Sequence, residues 1–430
     1  MRATAVGTVA LAAMALAGCA SGASGDEGGD VTLQFWTWSL KEADPAAQAI
    51  IDQYESENPG VTIELSEVGG TAETSSKLLA ADRANDVPDI VQVEYRAIPS
   101  LVTAGVIKDV TDLVAAEGTN VADNVWALTT LDGQRYGVPQ DLGPMMLTYR
   151  ADLFEQYGVE PPQTWADYTA AAETIHAQNP EAYLASFSAT QFEFFAAQAA
   201  QAGAEWWSTD GNAWSVGIDG DASLETADYW QDLVDRDLLS VEPLLTPEWN
   251  AKVNDGRILS WAAAAWAPSV IYSVAPDTAG KWASIPLPQW TEGDPAVPFL
   301  GGSAYLVPEK SAHAEEAAKF AAWLGGSDEG SELLLTLDLY PAGTAGRDAT
   351  LENEPPALMP DQADFWQVAY DVVDDTTIPI TWGPNVNVAT STFGDALSEA
   401  ALNGGSFRDV YIRTQEVVVA DLEKSGYTVE

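Results

Sequence analysis

Cysteine, histidine and positive charge are scarce in this chain: 430 residues hold one Cys, two His and 18 Lys+Arg against 65 Asp+Glu, a net charge of −47. One cysteine permits no internal disulfide and no thiolate cluster, and His176 and His313 are too few for most zinc or iron sites, which argues against a metal-centred enzyme. The excess of acid repels phosphates, because Lys/Arg neutralisation dominates binding to nucleic acid and to anionic lipid; DNA, RNA and polybasic anchoring fall away. No GxSxG elbow, P-loop, GxGxxG or HExxH occurs. The apolar run from Ala3 to Ala17 spans 15 residues, short of the roughly 18 to 20 needed to cross a bilayer. Behind Met1 and Arg2 it has the form of a signal-peptide core. What is present in quantity is apolar residue, 47% of the chain, enough at this length for about two or three compact units.

Leu16-Ala17-Gly18-Cys19 resembles a bacterial lipobox, which implies removal of residues 1–18 and a lipid on the Cys19 sulfur. The alternative is a free cysteine behind an ordinary cleavage site, and export follows either way. Residues 19–30 are Gly, Ser and acid without apolar periodicity, a flexible tether, so the folded part is expected to begin near Val31.

From there the pattern alternates. Val31 to Trp38 is rich in β-formers, Asp44-Pro45 opens a helix through Tyr54, and Asn58-Pro59-Gly60 leads to a second strand from Val61 to Leu65. Further helices are expected over Ala72 to Ala84, Ile98 to Ala104, Trp165 to Ala177 behind a Thr164 cap, Gln191 to Ala202, Leu224 to Arg236 and Glu315 to Leu324. Strands are expected at Ile90 to Val93, Met145 to Tyr149 and Ala304 to Val307, with Trp206, Trp207 and Trp214 in a loop region. Strand–helix alternation predicts a mostly parallel sheet covered on both faces, with ligands beyond the carboxyl ends of the strands, near Trp36, Trp38, Glu94 and Tyr95.

The lipobox, TLQFWTWS, YESENPGVTIEL, VPDIVQVEY, LDGQRYGVPQDLGPMMLTYRADLFEQYGVEPPQTWADY and GGSAYLVPEKSAHAEEAAKFAAWL occur in an order that resembles the sugar-binding lipoproteins among the extracellular solute-binding proteins of ABC importers, the maltodextrin-binding-protein-like family. That resemblance implies an α/β, two-lobed periplasmic-binding-protein-like fold, each lobe a mostly parallel sheet flanked by helices, hinged by crossing segments near Asp141 to Gly143, Pro295 to Leu300 and Pro341 to Gly346. It divides the chain into an N-terminal lobe of 31–141 plus 298–343 and a C-terminal lobe of 142–297 plus 344–430. It further implies a monomer on the outer face of the cytoplasmic membrane, lipid-anchored and extracellular, whose partners are a neutral di- or oligosaccharide and ABC permease transmembrane subunits with a separate ATPase. No catalytic residue, metal or other cofactor is expected.

A neutral sugar has apolar C–H faces and a rim of hydroxyls, so its site needs flat aromatic surfaces with carboxylates and amides at their edges. The chain has 16 Trp and abundant acid. Trp36 and Trp38 share a face by period two at the end of the first strand; Glu94 and Tyr95 follow IVQV, and Asp141 follows YGVP at a crossing. By resemblance, Trp266, Gly302, Ser303, Tyr340 and Trp382 join them. For each aromatic the alternative is core packing, and for each acid a solvated surface position. Trp206, Trp207 and Trp290 are further candidates without a place. Asp219-Gly-Asp221-Ala-Ser223-Leu-Glu225 has oxygen ligands at alternating positions, but its glycine and spacing miss the EF-hand pattern, and Asp221 serves equally as a helix cap. Two other classes stay open: a secreted glycosidase, which needs only two carboxylates roughly 5 to 10 Å apart, and a binder of polyamine or metal.

Overall fold

Along the strand Val31–Thr37, Leu33, Phe35 and Thr37 are buried and the residues between them less so, the alternation of a strand with one face on the core. In the computed structural model, which describes residues 30–210, 213–337, 339–378 and 380–430, this strand belongs to a five-stranded sheet. The order is Val61–Glu67, Val31–Thr37, Ile90–Glu94, Ser303–Leu306, Val138–Pro139. The first two pairings are parallel and the last two antiparallel. Parallel neighbours need crossovers, supplied by the helices Pro45–Glu57 and Thr71–Ala84. The Asp44 carboxylate accepts the Ala46 N–H and Pro45 starts the first helix; Asn85, at φ 53°, closes the second. On the buried face Phe35 meets the edges of Tyr305 and Phe320, with centroids 5.5 and 5.9 Å away.

A second sheet, Ser260–Ala264, Met145–Arg150 and Trp282–Pro286, is antiparallel throughout. The sequence predicts a mostly parallel sheet in each lobe, and here that expectation is corrected. All six residues of Met145–Arg150 are buried, and a strand covered on both faces has an apolar run that carries no information on the direction of its neighbours. Helices Trp165–Gln178, Phe192–Gln201, Asp221–Asp235, Val386–Asn403 and Phe407–Lys424 share an aromatic core in this half, with Trp165 against Trp230 at 5.6 Å and Phe393 against Tyr411 at 5.0 Å. Thr164 and Asp167 form a reciprocal cap on the first of these helices.

Other local expectations need correction. Trp207–Asp210 and Ala213–Val216 are paired strands rather than a loop, and Trp206 and Trp207 are buried in the aromatic core. Trp290 packs 5.6 Å from Trp165 and donates its indole N–H to the Gln198 carbonyl. The cap before Asp221–Asp235 is Gly220, with Asp221 in the first turn. None of the described helices is long and apolar enough to cross a membrane. Cys19, the leader and all but the last residue of the tether lie outside the described residues.

Three segments run side by side between the two sheets. The Leu142 N–H donates to the Tyr340 carbonyl at 2.8 Å, the Ala342 N–H to Gln140 at 2.9 Å, and the Leu300 N–H to Gly143 at 2.8 Å, so 140–143 lies in the middle. Gly143 permits this approach, since a Cβ there would sit 2.1 Å from the Leu300 carbonyl oxygen. Gly143→Ala is expected to lower unfolding free energy by about 2 kcal/mol in urea denaturation, as overpacking against backbone does. Gly105→Ala, at φ +70° with open space around its Cβ, is expected to cost only about 1 kcal/mol from the left-handed backbone. Equal losses would mean that the close approach carries no special cost.

Candidate functional site

The sheet register gathers the site. Ser303 stands opposite Glu94 in the antiparallel pairing, and Ala304 opposite Pro139, so the strand ends at Glu94, Pro139 and Ser303 emerge together. Tyr95 then donates its hydroxyl to the Asp141 carbonyl at 2.9 Å and its N–H to the Gly302 carbonyl at 3.2 Å. The Ser303 N–H donates to Asp141 Oδ1 at 3.0 Å. Gly302, at φ +88°, is required here, because a Cβ would meet the Tyr95 ring at 2.8 Å and the Asp141 carbonyl oxygen at 2.9 Å. Burial lifts the Asp141 carboxyl to about 7, opposed by the Ser303 N–H and assisted by the charge of Glu94.

Two spaces adjoin this junction. One, about 20 Å³, is lined by Glu94, Tyr95, Arg96, Leu128, Glu193, Phe299, Gly301, Gly302, Ile380 and Trp382. Within it Arg96 Nε donates to Glu94 Oε2 at 2.8 Å and pairs with Glu193. Burial, then the nearby Glu94 charge, lift the Glu193 carboxyl to about 7 against the pull of Arg96. The other space is lined by Asp141, Leu142, Ala265, Trp266, Leu339, Tyr340 and Trp366. It shares Ala265, Leu339 and Trp366 with a groove of about 520 Å³ that reaches Ser269, Tyr272 and the stretch Asn353 to Ala357. The indole of Trp266 is fixed by edge contact with Trp261 at 5.4 Å and by an N–H aimed at the Leu300 carbonyl at 3.4 Å. Trp366 donates to the Glu354 carbonyl at 2.9 Å, and its ring lies within 17° of parallel to Tyr340. Half-buried indole faces beside a carboxyl and open volume are the elements a polyhydroxylated ring with apolar faces requires.

The predicted residues therefore divide. Glu94, Tyr95, Gly302 and Trp382 line the first cavity; Asp141, Trp266 and Tyr340 line the second space, of about 10 Å³, which adjoins the groove; Ser303 binds Asp141 between them. Trp36 and Trp38 line neither. The Lys77 ammonium sits 3.9 Å over the Trp36 ring. Trp38 lies beyond the strand end, its N–H on Gln92 Oε1 at 3.2 Å, so the alternation expected to pair it with Trp36 has stopped at Thr37. Arg96, Glu193 and Trp366 were missed. Glu193 had a signal, an acid set among Phe192, Phe194 and Phe195, whereas Trp366 beside Phe365 is indistinguishable in sequence from a core aromatic. Among the described residues no cluster of three His, Cys, Asp or Glu side chains is arranged to hold a metal.

Residues 37–330 match the model of the bacterial extracellular solute-binding protein family. The chain belongs to that family. This solute-binding protein is similar to an arabinooligosaccharide-binding protein of Bacillus subtilis (strain 168), 25% identical over 335 residues that cover 75% of this chain and 76% of the relative. It is also similar to a maltooligosaccharide ABC transporter solute-binding lipoprotein of Streptococcus pneumoniae (strain ATCC BAA-255 / R6), 25% identical over 81% of this chain and 82% of that one. Among solved structures, the galacto-N-biose-/lacto-N-biose I-binding protein of the ABC transporter from Bifidobacterium longum, in complex with lacto-N-biose, superposes with a TM-score of 0.82 at 25% identity, covering 94% of this chain and 100% of that one. The fold is thus the mixed α/β periplasmic-binding-protein fold, and the family to which the chain belongs binds solutes rather than transforming them, which sets the glycosidase alternative aside.

A carboxyl moved from an ordinary 3.8 to about 7 makes the folded chain hold a proton that the unfolded chain has released. Its stabilising contribution is complete below the unfolded value and is lost as pH rises through the folded one. Melting temperature is expected to fall between about pH 4 and pH 7, and Asp141→Asn, which keeps the acceptor for Ser303, to flatten part of that slope. An unchanged slope in differential scanning calorimetry would show that Asp141 is ionised in the native protein throughout.

Proposed function

We propose that the chain is the lipid-anchored substrate-binding subunit of an ABC importer, which captures a neutral di- or oligosaccharide in an aromatic-lined cleft between two lobes and delivers it to the permease. The observation that carries this reading is the pair of half-buried indoles: Trp266 and Trp366 line one small space with Asp141, and Trp366 also lines the adjoining groove of about 520 Å³, the size range of small-ligand sites. An anion site would instead want free Arg or Lys, and the cation of the small cavity, Arg96, is taken by two carboxylates. The ligands for which these relatives are named, arabinooligosaccharide, maltooligosaccharide and lacto-N-biose, are all neutral sugars of this class.

The lobes proposed are 31–141 plus 298–343 and 142–297 plus 344–430, moving about the side-by-side segments near Asp141 to Gly143, Pro295 to Leu300 and Pro341 to Gly346. Binding shifts the open–closed population, and the permease reads the closed form. The chain has no Walker motif, so uphill transport draws on ATP hydrolysed by a separate subunit. Lipid on Cys19, with residues 20–30 as tether, holds the monomer at the outer face of the cytoplasmic membrane; the lipoprotein status of the pneumococcal relative supports this.

A thermal-shift and Trp-fluorescence screen of the mature chain against neutral mono-, di- and oligosaccharides, with spermidine and metal ions as controls, is expected to give a rise in melting temperature with a sugar that is left intact. Trp266→Ala and Trp366→Ala should each weaken that binding by roughly 1 to 3 kcal/mol. Silence toward every sugar together with a response to spermidine or a metal would overturn the carbohydrate reading. In a producing cell, Cys19→Ala is expected to move the protein from the membrane fraction to the medium, and retention at the membrane would overturn the lipid anchor.

A further inference from the structure

On the side of the small cavity, one cation joins the two halves of the molecule. Arg96 sits in the turn that follows the strand Ile90–Glu94 of the five-stranded sheet. Its Nε donates to Glu94 Oε2 at 2.8 Å and also pairs with Glu193, on the first turn of the helix Phe192–Gln201. That helix is rooted in the aromatic core of the other half, where Phe194 meets Trp230 at 5.3 Å. The space behind this contact, about 20 Å³, admits a water and excludes a sugar ring, whereas the groove at Trp366 measures about 520 Å³.

We propose that Arg96 is a positioning residue which, by pairing with Glu94 of one half and Glu193 of the other, holds this side of the cleft closed. Removing it leaves two carboxylates facing each other across the seam without a cation, the costliest way to break a partly buried ionic cluster. Removing Glu193's charge leaves a one-to-one pair. The charged groups acting on Glu193 are Glu94 and Arg96, with Asp141 acting on the Glu94 side; the rest of the lining, Tyr95, Leu128, Phe299, Gly301, Gly302, Ile380 and Trp382, is uncharged at neutral pH. A solute that needs the closed form meets it already populated, which raises apparent affinity by that population.

Small-angle scattering of the ligand-free mature chain tests this without reference to any sugar. The wild type is expected to stay compact, Arg96→Gln and Glu193→Ala to be expanded, and Arg96→Lys to recover closure in part. An Arg96→Gln protein that is folded by circular dichroism and has the wild-type radius of gyration overturns the proposal. So does a folded Glu193→Ala protein with the wild-type radius of gyration, which serves if Arg96→Gln fails to fold. The affinity readout alone rests on the proposed function: with a bound sugar, stopped-flow release from Arg96→Gln should be roughly thirtyfold faster or more, the range seen when one member of a buried charge pair is lost. If no sugar binds, the importer reading fails while the scattering still decides the role of Arg96.

Discussion

The backbone contact at Gly143 is the constraint on which the rest of this molecule depends. Two sheets with different strand directions meet through segments that must lie within hydrogen-bonding distance of one another, and only a residue without a side chain lets the Gly143 and Leu300 strands do so. Once 140–143 is held between 340–342 and Leu300, Asp141 is largely buried, Tyr95 and Ser303 are aimed at it, and Trp266 is brought within reach of the Leu300 carbonyl. The polar centre of the site is a consequence of how the chain crosses between halves. Its chemistry follows from the same fact, since burial rather than a neighbouring charge is the largest influence on the Asp141 carboxyl.

Where tryptophans go is settled by packing, and this limits what their number says. Eight of the sixteen are buried, several in the helix-lined half where Trp165, Trp206, Trp207 and Trp230 fill space against Phe and Tyr. An aromatic-rich composition is thus as much the signature of a large core as of a ligand platform. The indoles that remain useful are those with one face on the core and one on open space, as Trp266 and Trp366 are, with the N–H already engaged so that the ring is oriented before any ligand arrives.

The elements set by local signals were legible: the Asp44-Pro45 start, the Thr164 cap, the Ile90–Glu94 strand behind its proline, and the glycine pair before Ser303. Sheet order also brings Glu94 and Tyr95 to a strand end, as the alternation of elements foreshadows, whereas Asp141 was reached through its place at a crossing and Gly302 and Ser303 only through the resemblance. What was not legible depends on partners remote in sequence. The direction of Met145–Arg150 relative to its neighbours is decided by connections made more than a hundred residues later. Trp38 escaped because a strand's end is set by hydrogen bonds to Gln92, some fifty residues on, rather than by its own composition. Arg96 and Glu193 are a hundred residues apart and ordinary in isolation; only the closure of two halves makes them neighbours.

The charge pattern bears on which solutes the cleft admits, and two ranges of interaction have to be separated. A net charge of −47 opposes the approach of an anion, yet at physiological salt that field is screened beyond about 8 Å and weakens as salt rises. Inside the cleft screening is slight. There Asp141 and Glu193 are held by burial near the point of half-ionisation, and Arg96 has no spare charge to offer because Glu94 and Glu193 share it. On the proposed function, a solute hydroxyl can donate to Asp141 when it is ionised or accept from it when it is protonated, so a neutral polyhydroxylated solute fits either state, whereas an anionic group would find no counter-charge there. That discrimination would rest on the residues of the cleft, and it would persist in a high-salt medium where the surface charge no longer acts at a distance.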